Sequence, residues 1–170
     1  MFKKILLTII TLNLIFISTV YSRDRAGAIE SIKETLSANR FKATDYSKGL
    51  KHFAKALKYE NKEKFKKAEK YYKASINYFL EHNKEFVVEP NIFFYIGFSY
   101  EGIEDLDNAN LYYQIGLELE PGHVNINTRL AELYITENKL NFAKQRLEAL
   151  KNCDCKEYNQ LKEKISKINK

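Results

Sequence analysis

The stretch from Pro90 to Pro121 reads PNIFFYIGFSYEGIEDLDNANLYYQIGLELEP, and its spacing of large and small side chains narrows the possible folds more than any other feature. Phe93, Ile96 and Tyr100 recur at three and four residues before a central turn, Leu106 and Tyr113 lie beyond it, and Gly97, Ala109 and Gly116 supply the small positions. Small residues let two helix backbones approach closely, while large ones fill the space on either side of the crossing. The pattern therefore specifies two short antiparallel helices that nest. Only two Pro and six Gly interrupt the 170 residues, which favours helices over a many-turned β fold. Twelve Tyr and eleven Phe supply the bulk for a real core.

The pattern recurs on both sides. Ala143 follows Ala109 by 34 residues, with Leu130, Ala131, Tyr134, Leu140, Leu147 and Leu150 in the matching positions and Asn127 and Cys155 at two that differ. Upstream, Ala56 and Ala68 stand twelve apart, as Gly97 and Ala109 do, accompanied by Tyr59, Phe65, Tyr72 and Ser75. There His52 takes the first aromatic position and Lys55 the position of Ile96, which predicts water on that face. Lys48, Lys51, Lys55, Lys58 and Lys62 align along one side of the same helix, marking it as the polar end of a stack. Ala68 and Ala109 are 41 residues apart, so seven extra residues around Glu81 to Glu89 form either a longer helix or a small loop. From Lys156, Tyr158, Leu161, Ile165 and Ile168 share one face and lysines the other, as a capping helix requires.

This arrangement resembles the tetratricopeptide repeat, a 34-residue helix-turn-helix unit. Phe93 stands for the family's Trp, Ile96 for Leu, Gly97 for Gly, Tyr100 for Tyr, Ala109 for Ala, Tyr113 for Phe and Pro121 for Pro. The resemblance implies an all-α fold: a right-handed tetratricopeptide α-solenoid of about three repeats (49–82, 90–123 and 124–155) with a capping helix at 156–169. The packing positions are then Ala56, Ala68, Gly97, Ala109, Gly116, Ala131 and Ala143. The second half is also similar to small exported tetratricopeptide proteins of alphaproteobacteria, on Tyr95-Ile96-Gly97-Phe98, Tyr112-Tyr113, Gly116-Leu117-Glu118, Pro121, Asn125-Ile126-Asn127, Cys153, Cys155, Glu157, Tyr158 and Leu161. That likeness implies a periplasmic protein of unassigned role.

Residues 1–22 read as a signal peptide. Lys3 and Lys4 precede an uncharged run from Ile5 to Val20, and Val20-Tyr21-Ser22 suits a signal peptidase, so the expected mature start is Arg23. An uncleaved anchor is the alternative, although a run containing Thr8, Thr11 and Asn13 falls short of the roughly 20 apolar residues a spanning helix needs. Nothing later in the chain is apolar enough to hold it in a membrane, so the expected location is periplasmic or secreted. Residues 23–47 then form an N-terminal helix and linker, with Ala28, Ile29, Ile32 and Leu36 on one face, and 48–170 form the repeat domain.

Charge is segregated along the chain. Residues 48–73 hold ten Lys and three Glu, whereas residues 85–120 hold eight acids and no Lys or Arg. Such opposite fields either steer a charged partner and pair molecules weakly head to tail, or simply keep two surfaces solvated. Nucleic acid is a poor partner, because the basic stretch is almost all Lys and adjoins an acidic block that repels phosphate.

The resemblance also implies a concave face lined by the first helix of each repeat. Leu50, Phe53 and Leu57, then Asn91, Phe94, Phe98 and Glu101, then Asn125, Thr128 and Glu132 form the expected partner-binding groove. Phe53 and Leu57 replace the Lys and Asn with which some family members clamp acidic chaperone tails, so that clamp is absent. Phe94 and Phe98 suit an amphipathic helix or an apolar peptide, unless the chain's own 26–36 helix covers them.

Cys153 and Cys155 are expected to pair in an oxidising compartment, with free thiols and metal or redox work as alternatives. Two residues apart in a turn, their Cα atoms can fall within the roughly 4.4 to 6.8 Å a disulfide tolerates. Cys-x-Cys with His123 thirty residues away lacks the four-ligand spacing of a zinc site. No nucleophile elbow or Gly-rich phosphate loop is present, and His52, His82 and His123 stand apart. The sequence reads as a non-enzymatic interaction module or assembly scaffold for another envelope protein, with no cofactor, no metal and no membrane span after signal cleavage. A thiol- or metal-handling protein and a self-assembling structural protein are the competing readings.

Overall fold

The computed structural model describes residues 29, 32, 44–85 and 89–168. The signal segment 1–22, most of the 26–36 helix and the Phe86-Val87-Val88 connection lie outside the described residues. Among those described, the chain is all-helical, with seven helices and no strand. They are α1 (Asp45–Glu60), α2 (Phe65–Glu85), α3 (Pro90–Glu101), α4 (Leu106–Leu119), α5 (Val124–Thr136), α6 (Leu140–Ala149) and α7 (Lys156–Ile168). None is long and apolar enough to cross a membrane.

Local chemistry sets the helix ends. Thr44 caps α1, its Oγ1 accepting from the Ser47 N–H at 3.3 Å, and Asp45 in the first turn pairs with Lys48 at 2.8 Å. Pro90 opens α3, where the missing N–H costs nothing, and Asp105 caps α4 through the Asn108 N–H at 3.2 Å. The insertion between the first two repeats is accommodated as helix: α2 runs 21 residues, against 14 for α4 and 10 for α6.

Helices α1–α2, α3–α4 and α5–α6 form three antiparallel hairpins, each closed by the same turn. Glu63, Glu104 and Asn138 adopt left-handed φ values of 56°, 62° and 57°. The residue after each donates its N–H to a tyrosine carbonyl five residues back, from Lys64 to Tyr59, Asp105 to Tyr100 and Lys139 to Tyr134. A left-handed residue is the ordinary way to stop a helix abruptly and reverse the chain.

Within each hairpin the small residues sit at the contact. Ala56 and Ala68, Ala109, and Ala131 and Ala143 are buried, and a Cβ placed on the equally buried Gly97 would lie 2.5 Å from the Tyr113 ring. Gly102 is as tight, its Cβ position lying 2.2 Å from the Tyr72 ring in the neighbouring hairpin. Gly116 faces α5, where a Cβ would meet Ile126 at 2.4 Å.

Two apolar clusters run the length of the stack. One joins the first hairpin to α3: the Phe53 ring lies 5.2 Å from both Tyr95 and Phe98, and Phe79 stacks on Tyr95 at 5.3 Å. The other gathers Tyr113, Leu117, Ile126, Leu130, Tyr134 and Leu150 with Leu161 and Ile165, so that α7 closes the end. Each fully buried aromatic contributes on the order of 1.5 to 3 kcal/mol.

Gly97→Ala is expected to lower stability. Forcing a methyl against the buried Tyr113 ring costs about 1 to 3 kcal/mol, which exceeds the roughly 1 kcal/mol of helix propensity gained. Thermal melting beside Gly122→Ala, where a Cβ meets nothing within 4 Å, checks this: the first variant loses several degrees and the second does not.

Candidate functional site

The ten expected groove residues divide sharply by position in the stack. Leu50, Phe53 and Leu57 are essentially inaccessible, inside the first apolar cluster. Ile32 is buried in that cluster and Ile29 packs against it; these are the two described residues of the expected 26–36 helix. Phe98 is buried too, held between Phe53 and the Arg129 guanidinium, whose carbon sits 4.3 Å from the ring centre. The expectation of a free apolar wall at these four residues is corrected: aromatic packing between hairpins consumes it. Asn91 and Asn125 are exposed, and Phe94, Glu101, Thr128 and Glu132 are partly buried. Open surface therefore belongs to α3 and α5.

Charge ties that surface together. Arg129 on α5 donates to the Glu101 carboxylate at the end of α3 and, at 3.4 Å, to Glu132 one turn on. Glu132 also accepts from Lys164 of the closing helix at 2.8 Å. Arg129 and Glu101 each keep only 13% of their side-chain surface, so water screens the pair poorly. Burial raises the Glu101 carboxyl above its ordinary value, against the opposing pull of Arg129, and burial with the neighbouring Glu101 charge holds the Tyr113 hydroxyl well up. The planar fork of arginine suits it to bridge two carboxylates while lying flat on Phe98. Helical periodicity alone does not reveal this strap. Arg129 is one of only two arginines after residue 44 in a lysine-rich chain, which is the signal that could have found it.

A second link crosses the same two hairpins. His123 precedes α5 and its Nδ1 accepts from the Ile126 N–H at 3.3 Å, which leaves Nε2 protonated to donate to Asn91 Oδ1 at 3.0 Å. Phe94 stacks beside the ring at 6.3 Å. Asn127, standing where the other repeats carry a ring or His52, is fully buried and donates to the Pro121 and His123 carbonyls at 2.8 and 3.1 Å. It fastens the turn instead of filling a crossing.

In the turn before α7 the Cys153 and Cys155 sulfurs lie at bonding distance, with Cα atoms 5.1 Å apart. Among the described residues no three His, Cys, Asp or Glu side chains gather closely enough to hold a metal ion. No protein-family model matches the chain, and no curated protein matches it either.

The neutral His123 cap makes acid a stress. Burial holds His123 below its ordinary 6.5, so the unfolded chain takes up the proton first and stability is lost as pH falls below 6.5. His52, also lowered by burial and by Lys55, adds to the slope. His123→Asn keeps a capping side chain that does not titrate. Urea midpoints between pH 7.5 and 5 should therefore fall less steeply in the variant than in the wild type.

Proposed function

We propose that this chain is a tetratricopeptide-type repeat protein, exported to the bacterial envelope, that acts without catalysis as an interaction module or assembly scaffold. The single observation that carries the reading is the turn repeated three times, left-handed at Glu63, Glu104 and Asn138, each at the same place between paired small residues. A solenoid built from such units cannot bury its faces except by stacking, and the stacked first helices offer a continuous side to a partner. The location rests on Lys3, Lys4 and the Ile5–Val20 run, and Cys153 with Cys155 then suits a structural disulfide.

The partner surface is the α3–α5 side: Asn91, Phe94, Asn125 and Thr128, rimmed by Glu101, Arg129 and Glu132. Its amides and hydroxyl can serve an extended backbone, while Phe94 supplies one apolar anchor. This is a polar face with a single ring, and it favours a peptide segment over a wholly apolar helix. A photo-crosslinking side chain placed at Asn125 in the envelope should give one discrete adduct that Phe94→Ala weakens about tenfold. The same probe at Gln114 should give none, and equal labelling at both positions would remove the surface from consideration.

Thiol titration addresses the competing reading. The purified chain should show no reactive thiol until reductant is added and two afterwards. Two free thiols before reduction, together with tight zinc or copper binding, would favour a thiol- or metal-handling protein.

A further inference from the structure

The tip of the first hairpin carries a feature that partner binding by α3 and α5 does not use. Its turn reads Asn61-Lys62-Glu63-Lys64-Phe65-Lys66-Lys67, four lysines and one acid around a single aromatic ring. Phe65 keeps 65% of its surface, more than any other large apolar residue described, at the first position of α2. No carboxylate among the described residues lies within ion-pair distance of Lys62, Lys64, Lys66 or Lys67, although Glu69, itself bonded to Lys73, feels the Lys66 charge; Lys48 and Lys73 do have close partners. Lys67 instead lies 5.6 Å over the ring of Tyr59, which is stacked on Tyr71 at 5.2 Å. The first turn of α2 contains no acidic residue, so its N-terminal dipole adds to the positive field.

We propose that this tip docks on an anionic lipid bilayer, with Phe65 entering the headgroup boundary and the four lysines over the lipid phosphates. An unpartnered ring ringed by lysines has the composition of an interfacial anchor: the ring leaves water, while the flexible lysine stems carry their charges to the headgroups. Tyr59 and Tyr71, with an apolar body and a polar tip, suit the same depth. The contact is adsorption and not a span, so it needs no apolar helix. It is also confined to the end of the stack, because the next hairpin tip, Glu104-Asp105-Leu106-Asp107, carries three acids and is repelled by the same surface. The first hairpin would hold the molecule upright on the membrane, leaving the α3–α5 face free. The inference stands whether or not that face binds a partner.

The chain contains no Trp, so Phe65→Trp places a single fluorescent reporter at the proposed contact. With vesicles of phosphatidylglycerol and phosphatidylcholine in equal parts, F65W emission should shift to the blue and be quenched by brominated acyl chains. Pure phosphatidylcholine should leave it unchanged, and so should 0.5 M salt. Because the reporter is local, an apolar leader elsewhere in the full chain does not mimic the signal. Replacing Lys62, Lys64, Lys66 and Lys67 by Ser within F65W should weaken binding about fivefold per lysine removed, and Phe65→Ser should cost about tenfold in co-sedimentation. Phe142→Trp, at an exposed site on the third hairpin, should not shift. Circular dichroism melts of each variant report its folding, and wild-type melting with lost vesicle binding confirms that the tip itself was at fault. An unshifted F65W spectrum on anionic vesicles overturns the proposal, as does an equal shift at F142W. Tight binding of soluble polyphosphate with no shift on vesicles would assign the lysines to a polyanion, and a blue shift without lipid would assign the ring to a second copy; either result also overturns it.

Discussion

Helix spacing in this protein is set where a residue without a side chain faces an aromatic ring. At Gly97 the α3 backbone stands so close to Tyr113 that no methyl fits, and at Gly102 the end of α3 is pressed against Tyr72 of the preceding hairpin. One contact closes a hairpin and the other joins two hairpins, so the same device fixes both the unit and its stacking. A close-packed interior tolerates even one added methyl group poorly, which is why the small positions are as constraining as the large ones.

The same packing decides which surface remains for binding. Rings that project from α1 and α3 toward one another, Phe53, Tyr95 and Phe98, satisfy each other and leave the first hairpin without a free apolar wall. What remains on α3 and α5 is mostly polar, and it is held by two cross-hairpin links of different chemistry. The Glu101–Arg129–Glu132–Lys164 chain is ionic, little hydrated at its Glu101–Arg129 end and open to water at Lys164, while the Asn91–His123 contact is neutral and depends on one imidazole tautomer. A buried ion pair offers geometric definition more than net stability, since desolvation offsets much of its attraction. Both links join the second hairpin to the third.

Charge is distributed by hairpin and not by face. The lysines of the first hairpin and the acids of the second lie next to each other in the chain, yet the ion pairs of the first hairpin, Lys48–Asp45, Lys73–Glu69 and Lys84–Glu81, are short-range ones within a helix. Exposed pairs of this kind contribute little, typically below about 1 kcal/mol. Unspent positive charge at one end of the molecule is thus available for what lies outside it.

Much of the architecture was legible in the chain, because helix pairing depends on local periodicity and on small residues at fixed offsets. Gly97, Ala109, Ala131 and Ala143 mark the crossings without reference to anything distant, and the 41-residue gap signalled an insertion whose form, extra turns of α2, only the structure decided. The candidate site was less legible. Leu50, Phe53, Leu57 and Phe98 sit at offsets that face a groove in the family pattern, but their exposure depends on whether Ile32 and the rings of α3 reach them, and that is a matter of long-range contact. Arg129, His123 and Lys164 gained their roles in the same way, from partners about 30 residues away in the chain. Spacing within a helix by itself determined which residues nest, since the period repeats every few positions; which nested surface stays open to a partner was decided only by tertiary packing, since coverage comes from elsewhere in the chain.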